Sequence, residues 1–189
     1  MQKLLMFNQV TLDGYFKGAN DDLSWAHSGR SEDPEWKAFV SGNAGNGGTL
    51  LFGRKTYEMM ESYWPTPQAM QAMPEVAKGM NSMPKVVFSR TLKSVSWNNT
   101  TLVKDGIADA VRALKSESGP GITLMGSGSI VAQLTQEGLI DTYQFVVYPV
   151  ALGKGRTMFD GIKDTLNLQP TRTRQFNNGR VVLWCERAA

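Results

Sequence analysis

Residues 122–129, ITLMGSGS, have the composition of a buried strand followed by a turn that can bind an anion. The apolar run ITLM is typical of a strand that is buried on both faces. Gly126 and Gly128 allow a sharp turn and a close approach of a ligand to the backbone. Ser127 or Ser129 can cap the helix predicted to begin near residue 130, whose positive end favours phosphate. The segment therefore predicts a phosphate site.

Other interpretations of this motif are weaker or remain open. The dinucleotide fingerprint G-x-G-x-x-G needs a third glycine where Val131 stands, so an ordinary tight turn between a strand and a helix stays an alternative. A triphosphate-binding loop at residues 48–56 is excluded because Arg54 separates the second glycine from Lys55. A serine hydrolase elbow is excluded because Ser127 lacks the required glycines and His27 is the only histidine.

Two further apolar strands are predicted at residues 49–52 and 85–88, and each is followed at once by groups that suit phosphates. These groups are a glycine at a helix start, cations and hydroxyls: Gly53, Arg54, Lys55, Thr56, Ser89 and Arg90. Parallel strands of an open sheet end at one edge, and ligands bind at that edge. Several anion contacts along one edge suit a dinucleotide better than a single phosphate.

Arg90 indicates which dinucleotide the site would prefer. It lies just after a predicted strand, with no carboxylate immediately beside it that could accept a ribose hydroxyl. A guanidinium in that position favours a 2′-phosphate. The sequence therefore predicts NADP rather than NAD.

The order of the predicted elements indicates an α/β fold. Strands are expected at residues 3–10, 100–103 and 142–150, with a TLDG turn after the first and a helix capped by Asp105 after the second. Residues 171–186 read as an antiparallel hairpin around the turn Asn-Asn-Gly at 177–179. The chain thus begins with βα units and ends with a hairpin that closes the sheet.

The remaining segments are predicted to be helical or irregular. Residues 17–34 are polar and are expected to form a loop, and a short helix should run from Pro34 to near Gly42. Prolines break residues 63–84 into short helical pieces around Met70 and Val76. The methionines of this region would fill gaps in the core or form a pliable wall for a flat ligand.

Composition limits the classes of function. The chain has 189 residues and 41% hydrophobic content without a shift in composition, so one domain over residues 1–189 is expected. No apolar run has membrane-spanning length, which predicts a cytoplasmic protein. A single cysteine and a single histidine argue against a disulfide framework and a zinc site. The net charge of +3 is scattered, which favours a small anionic ligand over nucleic acid.

Taken together, the motifs TLDG at 11–14, LFGRKTY at 51–57, FSRT at 88–91, GSG at 126–128 and residues 141–153 resemble one family. The sequence is similar to the dihydrofolate reductase-like superfamily, and within it to the riboflavin biosynthesis reductases whose domain is called the RibD C-terminal domain. The resemblance implies a three-layer α/β fold with a mostly parallel central sheet and an antiparallel C-terminal strand or hairpin. It also implies NADPH as hydride donor and a homodimer.

The resemblance assigns roles to the strand ends. Gly53, Arg54, Lys55 and Thr56 would bind the pyrophosphate, and Ser89 with Arg90 would bind the 2′-phosphate. Gly126, Ser127, Gly128 and Ser129 would contact the other side of the pyrophosphate, while the backbone at residues 10–12 would border the nicotinamide. The substrate would be a small heterocycle, such as a ribosylamino-pyrimidinone or a pteridine.

The catalytic acid is less well defined. The sequence has no zinc-binding cysteine pair, so the deaminase half of the riboflavin enzymes is not expected and the resemblance implies a stand-alone reductase. Asp22-Leu23-Ser24-Trp25 reproduces the string whose acid binds pterin in dihydrofolate reductase, although it precedes the predicted helix by about a dozen residues. Asp13 or Asp22 would donate a proton if burial raised its pKa. The alternative is a non-catalytic NADP-binding sensor or assembly protein.

Overall fold

The computed structural model describes residues 1–27, 33–44 and 47–188. The fold is α/β with a mostly parallel central sheet and additional antiparallel strands, which confirms the predicted fold class. The strands are β1 (Leu4–Thr11), β2 (Tyr15–Lys17), β3 (Thr49–Gly53), β4 (Lys85–Phe88), β5 (Thr100–Val103), β6 (Ile122–Met125), β7 (Thr142–Tyr148), β8 (Arg156–Thr157), β9 (Leu168–Gln175) and β10 (Val181–Arg187). The helices are α1 (Ser24–His27), α2 (Pro34–Ala44), α3 (Arg54–Tyr63), α4 (Pro67–Ala72), α5 (Pro74–Ser82), α6 (Ile107–Ser116) and α7 (Gly128–Gln136).

The chain divides into two compact units, of which the first comprises Met1–Leu4 and Ala38–Ser127. Its strands lie in the order β5-β4-β3-β6, and every neighbouring pair is parallel. The strands β3 and β4 are apolar along nearly their whole length because both of their faces are covered. The core includes Phe52, which stacks on Trp97 with 6.1 Å between ring centroids. The hydroxyl of Tyr57 accepts hydrogen bonds from the backbone of Ser96 and Trp97, and it fixes the loop between β4 and β5.

Prolines set the boundaries of two helices in the first unit, as predicted. Pro67 and Pro74 each occupy the first turn of a short helix, where the missing N–H costs nothing. The hydroxyl of Thr66 accepts a hydrogen bond from the backbone of Ala69 at 3.2 Å and caps α4. Met80 and Met83 are buried in the core, whereas Met70 is 45% exposed.

The second unit comprises Leu5–Lys37 and Gly128–Ala189. Its strands lie in the order β1-β7-β10-β9, with β1 parallel to β7 and both pairs of β10 antiparallel. The predicted hairpin is therefore confirmed, with its strands extending over Leu168–Gln175 and Val181–Arg187. The strands β2 and β8 form a separate antiparallel pair.

Several local predictions need correction. Residues 17–27 were expected to be a loop but contain the end of β2, a 3-10 turn and α1, and residues 28–32 lie outside the described part of the chain. The helix α7 begins at Gly128, two residues before the predicted start. Asp105 does not cap α6, because Gly106 is the N-cap residue and no side chain caps that helix. None of the helices in the described ranges has the length and apolarity needed to cross a bilayer.

Candidate functional site

The carboxyl ends of β4, β3 and β6 lie side by side at one edge of the first unit's sheet. β3 pairs in parallel with both neighbours, with Gly53 opposite Phe88 and Leu51 opposite Leu124. Three of the predicted ligand-binding segments therefore begin at this edge, which we call the strand-end edge: Gly53–Thr56, Ser89–Arg90 and Gly126–Ser127. In open parallel sheets this edge is where ligands bind.

The helix α3 starts at this edge without a side-chain cap. Gly53 is its N-cap residue, in an extended conformation with φ −85° and ψ 165°. The first N–H groups of a helix have no partner within the helix, and its macrodipole makes this end positive. Arg54 and Lys55 add positive charge in the first turn. The end of α3 therefore has the properties of an anion site.

Ser127 connects two of the turns. Its Oγ accepts a hydrogen bond from the backbone N–H of Gly53 at 2.7 Å and lies 3.1 Å from Oγ1 of the buried Thr56. Ser127 has a left-handed backbone with φ 61°, which is uncommon for a residue with a side chain. Its hydroxyl thus holds the turn after β6 against the start of α3.

The close approach of the turn after β6 to Thr56 of α3 requires a glycine at position 126. Its φ is +62°, and a Cβ at this position would lie 2.7 Å from Oγ1 and 3.0 Å from Cγ2 of Thr56. Any side chain would push the turn away from α3. The turn after β6 therefore lies close to α3 because position 126 has no side chain.

Two of the cations at the strand-end edge, Arg54 and Arg90, are paired with carboxylates. Arg54 contacts Glu58 at 3.0 Å, one helical turn along α3, and both side chains are partly exposed. Arg90 contacts Asp105 with 2.9 Å between Nε and Oδ1. The expectation that no carboxylate lies beside Arg90 was wrong, because the parallel pairing of β4 and β5 brings Asp105 next to it.

Ser89 has a local structural function at the end of β4. Its side chain is buried, and its Oγ accepts hydrogen bonds from the backbone of Thr91 at 3.2 Å and of Leu92 at 3.0 Å. Its backbone N–H donates to Val103 at 3.0 Å. These bonds fix the turn that presents Arg90.

Gly128 and Ser129 belong to the second unit. Gly128 is the first residue of α7, and a Cβ there would lie 3.1 Å from Cζ of Phe16. Ser129 is exposed in the first turn of the helix. The predicted roles of both residues as pyrophosphate ligands stay predictions.

Asp13 joins the loops that follow β1 and β7. Its Oδ1 accepts the hydroxyl of Thr11 at 2.6 Å, and its Oδ2 accepts the backbone N–H groups of Leu152 at 2.9 Å and Gly153 at 2.7 Å. The hydrogen bond from Thr11, followed by that from Gly153, lowers the pKa of this exposed carboxyl. The burial that would let Asp13 act as an acid is absent, and its carboxylate instead holds the two loops together.

Asp22 has a similar local function before α1. Its Oδ1 accepts the backbone N–H of Ser24 at 3.0 Å, and its Oδ2 accepts the Ser24 hydroxyl at 2.9 Å. The backbone bond, and then the hydroxyl bond, lower the pKa of the Asp22 carboxyl, which is exposed. These hydrogen bonds outweigh the small effect of burial, so the condition for an acid role is not met here either.

Sequence reasoning missed Asp105 and Glu58 at the strand-end edge. The signal for Asp105 was that β4 and β5 each end two residues before a charged side chain, and Phe88 pairs with Val103. Glu58 follows Arg54 at the i,i+4 spacing of helical ion pairs. Across the described ranges, no group of three His, Cys, Asp or Glu side chains is arranged to hold a metal ion.

Comparisons with known proteins cover almost the whole chain. The family model described as the RibD C-terminal domain matches residues 2–182. The chain is 30% identical over 180 residues to YyaP of Bacillus subtilis (strain 168), covering 95% of this chain and 92% of YyaP. It is 25% identical over 176 residues to YwjB of the same strain, covering 93% of this chain and 92% of YwjB. Both relatives are uncharacterized proteins.

Solved structures share the fold at lower identity. A protein from Shewanella sp. PV-4, provisionally named a riboflavin biosynthesis protein, superimposes with a TM-score of 0.74 and 21% identity over 100% of both chains. A pyrimidine reductase-like protein from Corynebacterium diphtheriae gives a TM-score of 0.64 and 13% identity, covering 100% of this chain and 92% of that one. At these identities the likeness concerns the fold alone.

Proposed function

Since the chain belongs to the RibD C-terminal domain family, we propose that it is an NADPH-dependent reductase that transfers hydride to a small heterocyclic compound. The substrate class that we propose is a ribosylamino-pyrimidinone or a pteridine. The observation that carries the proposal is the strand-end edge, where the uncapped start of α3, the GS turn after β6 and Arg90 lie at neighbouring strand ends. A dinucleotide has phosphates suited to each of these groups.

The residues at this edge fit the pyrophosphate. The absent Cβ of Gly126 and the bond between Ser127 and Gly53 bring two turns together, leaving the N-terminal turn of α3 at the edge. In the proposal, residues Gly53–Thr56 and Gly126–Ser129 hold the pyrophosphate, with charge from Arg54 and Lys55. Ser89 positions the turn from which Arg90 contacts the 2′-phosphate.

The cofactor, when bound, supplies the hydride. The chain must therefore bind and orient the cofactor and the substrate, and it must exclude water from them. The loops after β1 and β7 are held together by Asp13, and we propose that the backbone at residues 10–12 borders the nicotinamide. Asp13 and Asp22 are exposed and have lowered pKa values, so both are charged at neutral pH. We therefore propose that the proton for the substrate comes from water rather than from these carboxylates.

Tryptophan fluorescence and nicotinamide absorbance test the proposal. Titration with NADPH and NADH should quench the fluorescence of the five tryptophans, and NADPH should bind more tightly. Pyrimidinone and pteridine compounds should then cause loss of absorbance at the nicotinamide band. Failure of both dinucleotides to bind would refute the proposed cofactor.

The second candidate is a non-catalytic NADP-binding sensor or assembly protein. It is favoured by the observation that the carboxyl pKa is lowered for both Asp13 and Asp22, so that neither is poised to donate a proton. Tight NADPH binding without oxidation across a broad panel of heterocycles would support this candidate over the reductase. We further propose that the protein is cytoplasmic and forms a homodimer. Light scattering of the purified protein would test the dimer.

A further inference from the structure

Arg90 and Asp105 face each other because their strands run in register. β4 and β5 are parallel neighbours with Phe88 opposite Val103, and the N–H of Ser89 donates to the carbonyl of Val103 at 3.0 Å. The chain therefore leaves both strands side by side. Arg90 and Asp105 each stand two residues beyond this pair, at the strand-end edge.

The contact between them is a single exposed ion pair. Nε of Arg90 lies 2.9 Å from Oδ1 of Asp105, and the side chains are 82% and 76% exposed. It engages one of the five N–H donors that a guanidinium carries. The pair has no role in capping α6, because Gly106 is the N-cap residue of that helix and no side chain caps it.

We infer that Asp105 lowers the preference of this site for dinucleotides that carry a 2′-phosphate. The inference rests on the proposed function, in which Arg90 binds that phosphate. A phosphate on Arg90 must displace the Asp105 carboxylate or remain close to it, and the two anions repel each other. A dinucleotide without the phosphate meets no such repulsion, and a carboxylate at a strand end can accept its ribose hydroxyls.

The arrangement makes the effect moderate. An exposed ion pair is weak, so a phosphate can displace the carboxylate from Arg90. Lys104 is exposed and lies next to Asp105 in the chain, and its positive charge offsets part of the repulsion. Asp105 therefore reduces the selectivity that Arg90 would provide alone, without reversing it.

The substitution Asp105→Asn tests this inference, since it removes the charge and nearly preserves the shape of the side chain. Asp109→Asn is the matched control. Asp109 lies in the first turn of α6, four residues after Asp105, where its side chain is 86% exposed and pairs with Arg112 instead of Arg90. Dissociation constants for NADPH and NADH would be measured by tryptophan quenching. Dissociation constants for adenosine 2′,5′-bisphosphate and AMP would be measured by calorimetry. These two ligands lack the nicotinamide half, so they report on the adenosine side of the site alone.

In Asp105→Asn the ratio of the NADH to the NADPH dissociation constant should rise about threefold to tenfold at low salt, and less at high salt. The ratio of the AMP to the bisphosphate dissociation constant should also rise. In Asp109→Asn both ratios should stay at the wild-type value.

An unchanged or lower ratio in Asp105→Asn, with NADPH still bound by the wild type, would overturn this inference and leave the proposed function intact. An equal rise in Asp109→Asn would also overturn it, because the effect would then be one of net charge. If the wild type binds neither dinucleotide, the proposed function itself fails and this inference fails with it.

Discussion

Replacing Gly126 by alanine should destabilise the protein much more than the same change at another glycine with positive φ. At φ +62° an alanine is strained, and its Cβ would lie 2.7 Å from Oγ1 and 3.0 Å from Cγ2 of Thr56. Thr56 cannot move away freely, because it is buried and its hydroxyl lies 3.1 Å from Ser127. The change therefore adds a steric cost to a backbone cost.

The size of the effect follows from these two contributions. The left-handed backbone costs about 1–2 kcal/mol for a residue with a Cβ, and overpacking in a buried site costs about 1–3 kcal/mol. Together they predict a loss of about 2–5 kcal/mol in the free energy of unfolding. For a chain of this length, each kcal/mol lowers Tm by about 2–4 °C.

Urea denaturation, followed by tryptophan fluorescence, would measure the loss. The control is Gly106→Ala, because Gly106 has a φ of +68° and its Cβ would meet no atom closer than 4.0 Å. This variant should lose only about 1–2 kcal/mol, the backbone contribution. Gly126→Ala should also weaken NADPH binding.

A double-mutant cycle separates the two contributions further. Thr56→Ala removes both of the atoms that the new Cβ would meet first. In that background the cost of Gly126→Ala should fall to the value found for Gly106→Ala. Equal losses for the two glycine variants in the wild-type background would refute the claim that close approach to Thr56 requires glycine at 126.

Four other changes test the site and the core. Arg90→Ala should weaken NADPH binding by roughly tenfold or more and NADH binding far less, because a charge-assisted bond to phosphate is lost; equal losses would remove the reason for naming the phosphorylated cofactor. Ser127→Gly should be more stable in urea than Ser127→Ala by about 1–2 kcal/mol, because only alanine keeps the strain at φ 61°; the opposite order would contradict that strain. Asp13→Asn should be less stable than the wild type above the usual aspartate pKa of 3.8, and the difference should disappear as the pH falls through the lowered pKa of Asp13; a difference that persists in acid would show that the charge is not what matters. Burial lowers the pKa of Lys85 to about 8. As the pH rises from 8 to 10.5, the free energy of unfolding of the wild type should therefore increase by up to about 3 kcal/mol relative to Lys85→Met. A constant difference between the two proteins in urea unfolding over this range would contradict the cost of burying the charged amine.

The sequence was sufficient for the elements whose signals are local. The apolar runs of β3 and β4 are continuous because these strands are covered on both faces, and their ends are marked by glycine, serine or a cation. The prolines that open α4 and α5, and the Asn-Asn-Gly turn of the final hairpin, act on their own backbone. Such signals need no knowledge of distant residues.

The surroundings of two aspartates could not be predicted from the sequence, for a common physical reason. Asp105 was expected to cap the helix beside it in sequence, but it pairs with Arg90, which is brought close by the parallel pairing of β4 with β5. Asp13 was named as an acid on the condition that burial raised its pKa, but three donors, two of them from the loop after β7, lower the pKa of this exposed carboxyl. In each case the deciding partner is remote in sequence.

The sequence by itself determined the kinds of groups at the strand ends and, through their order along the chain, the family to which it belongs. Only the tertiary structure decided which of these groups touch: Ser127 with Gly53, Arg90 with Asp105, and Asp13 with Gly153. The reason is that composition fixes the chemistry a residue can offer, while pKa and ion pairing depend on distances of a few ångströms. Those distances are set by strand register and by close approaches such as that at Gly126, which no local pattern encodes.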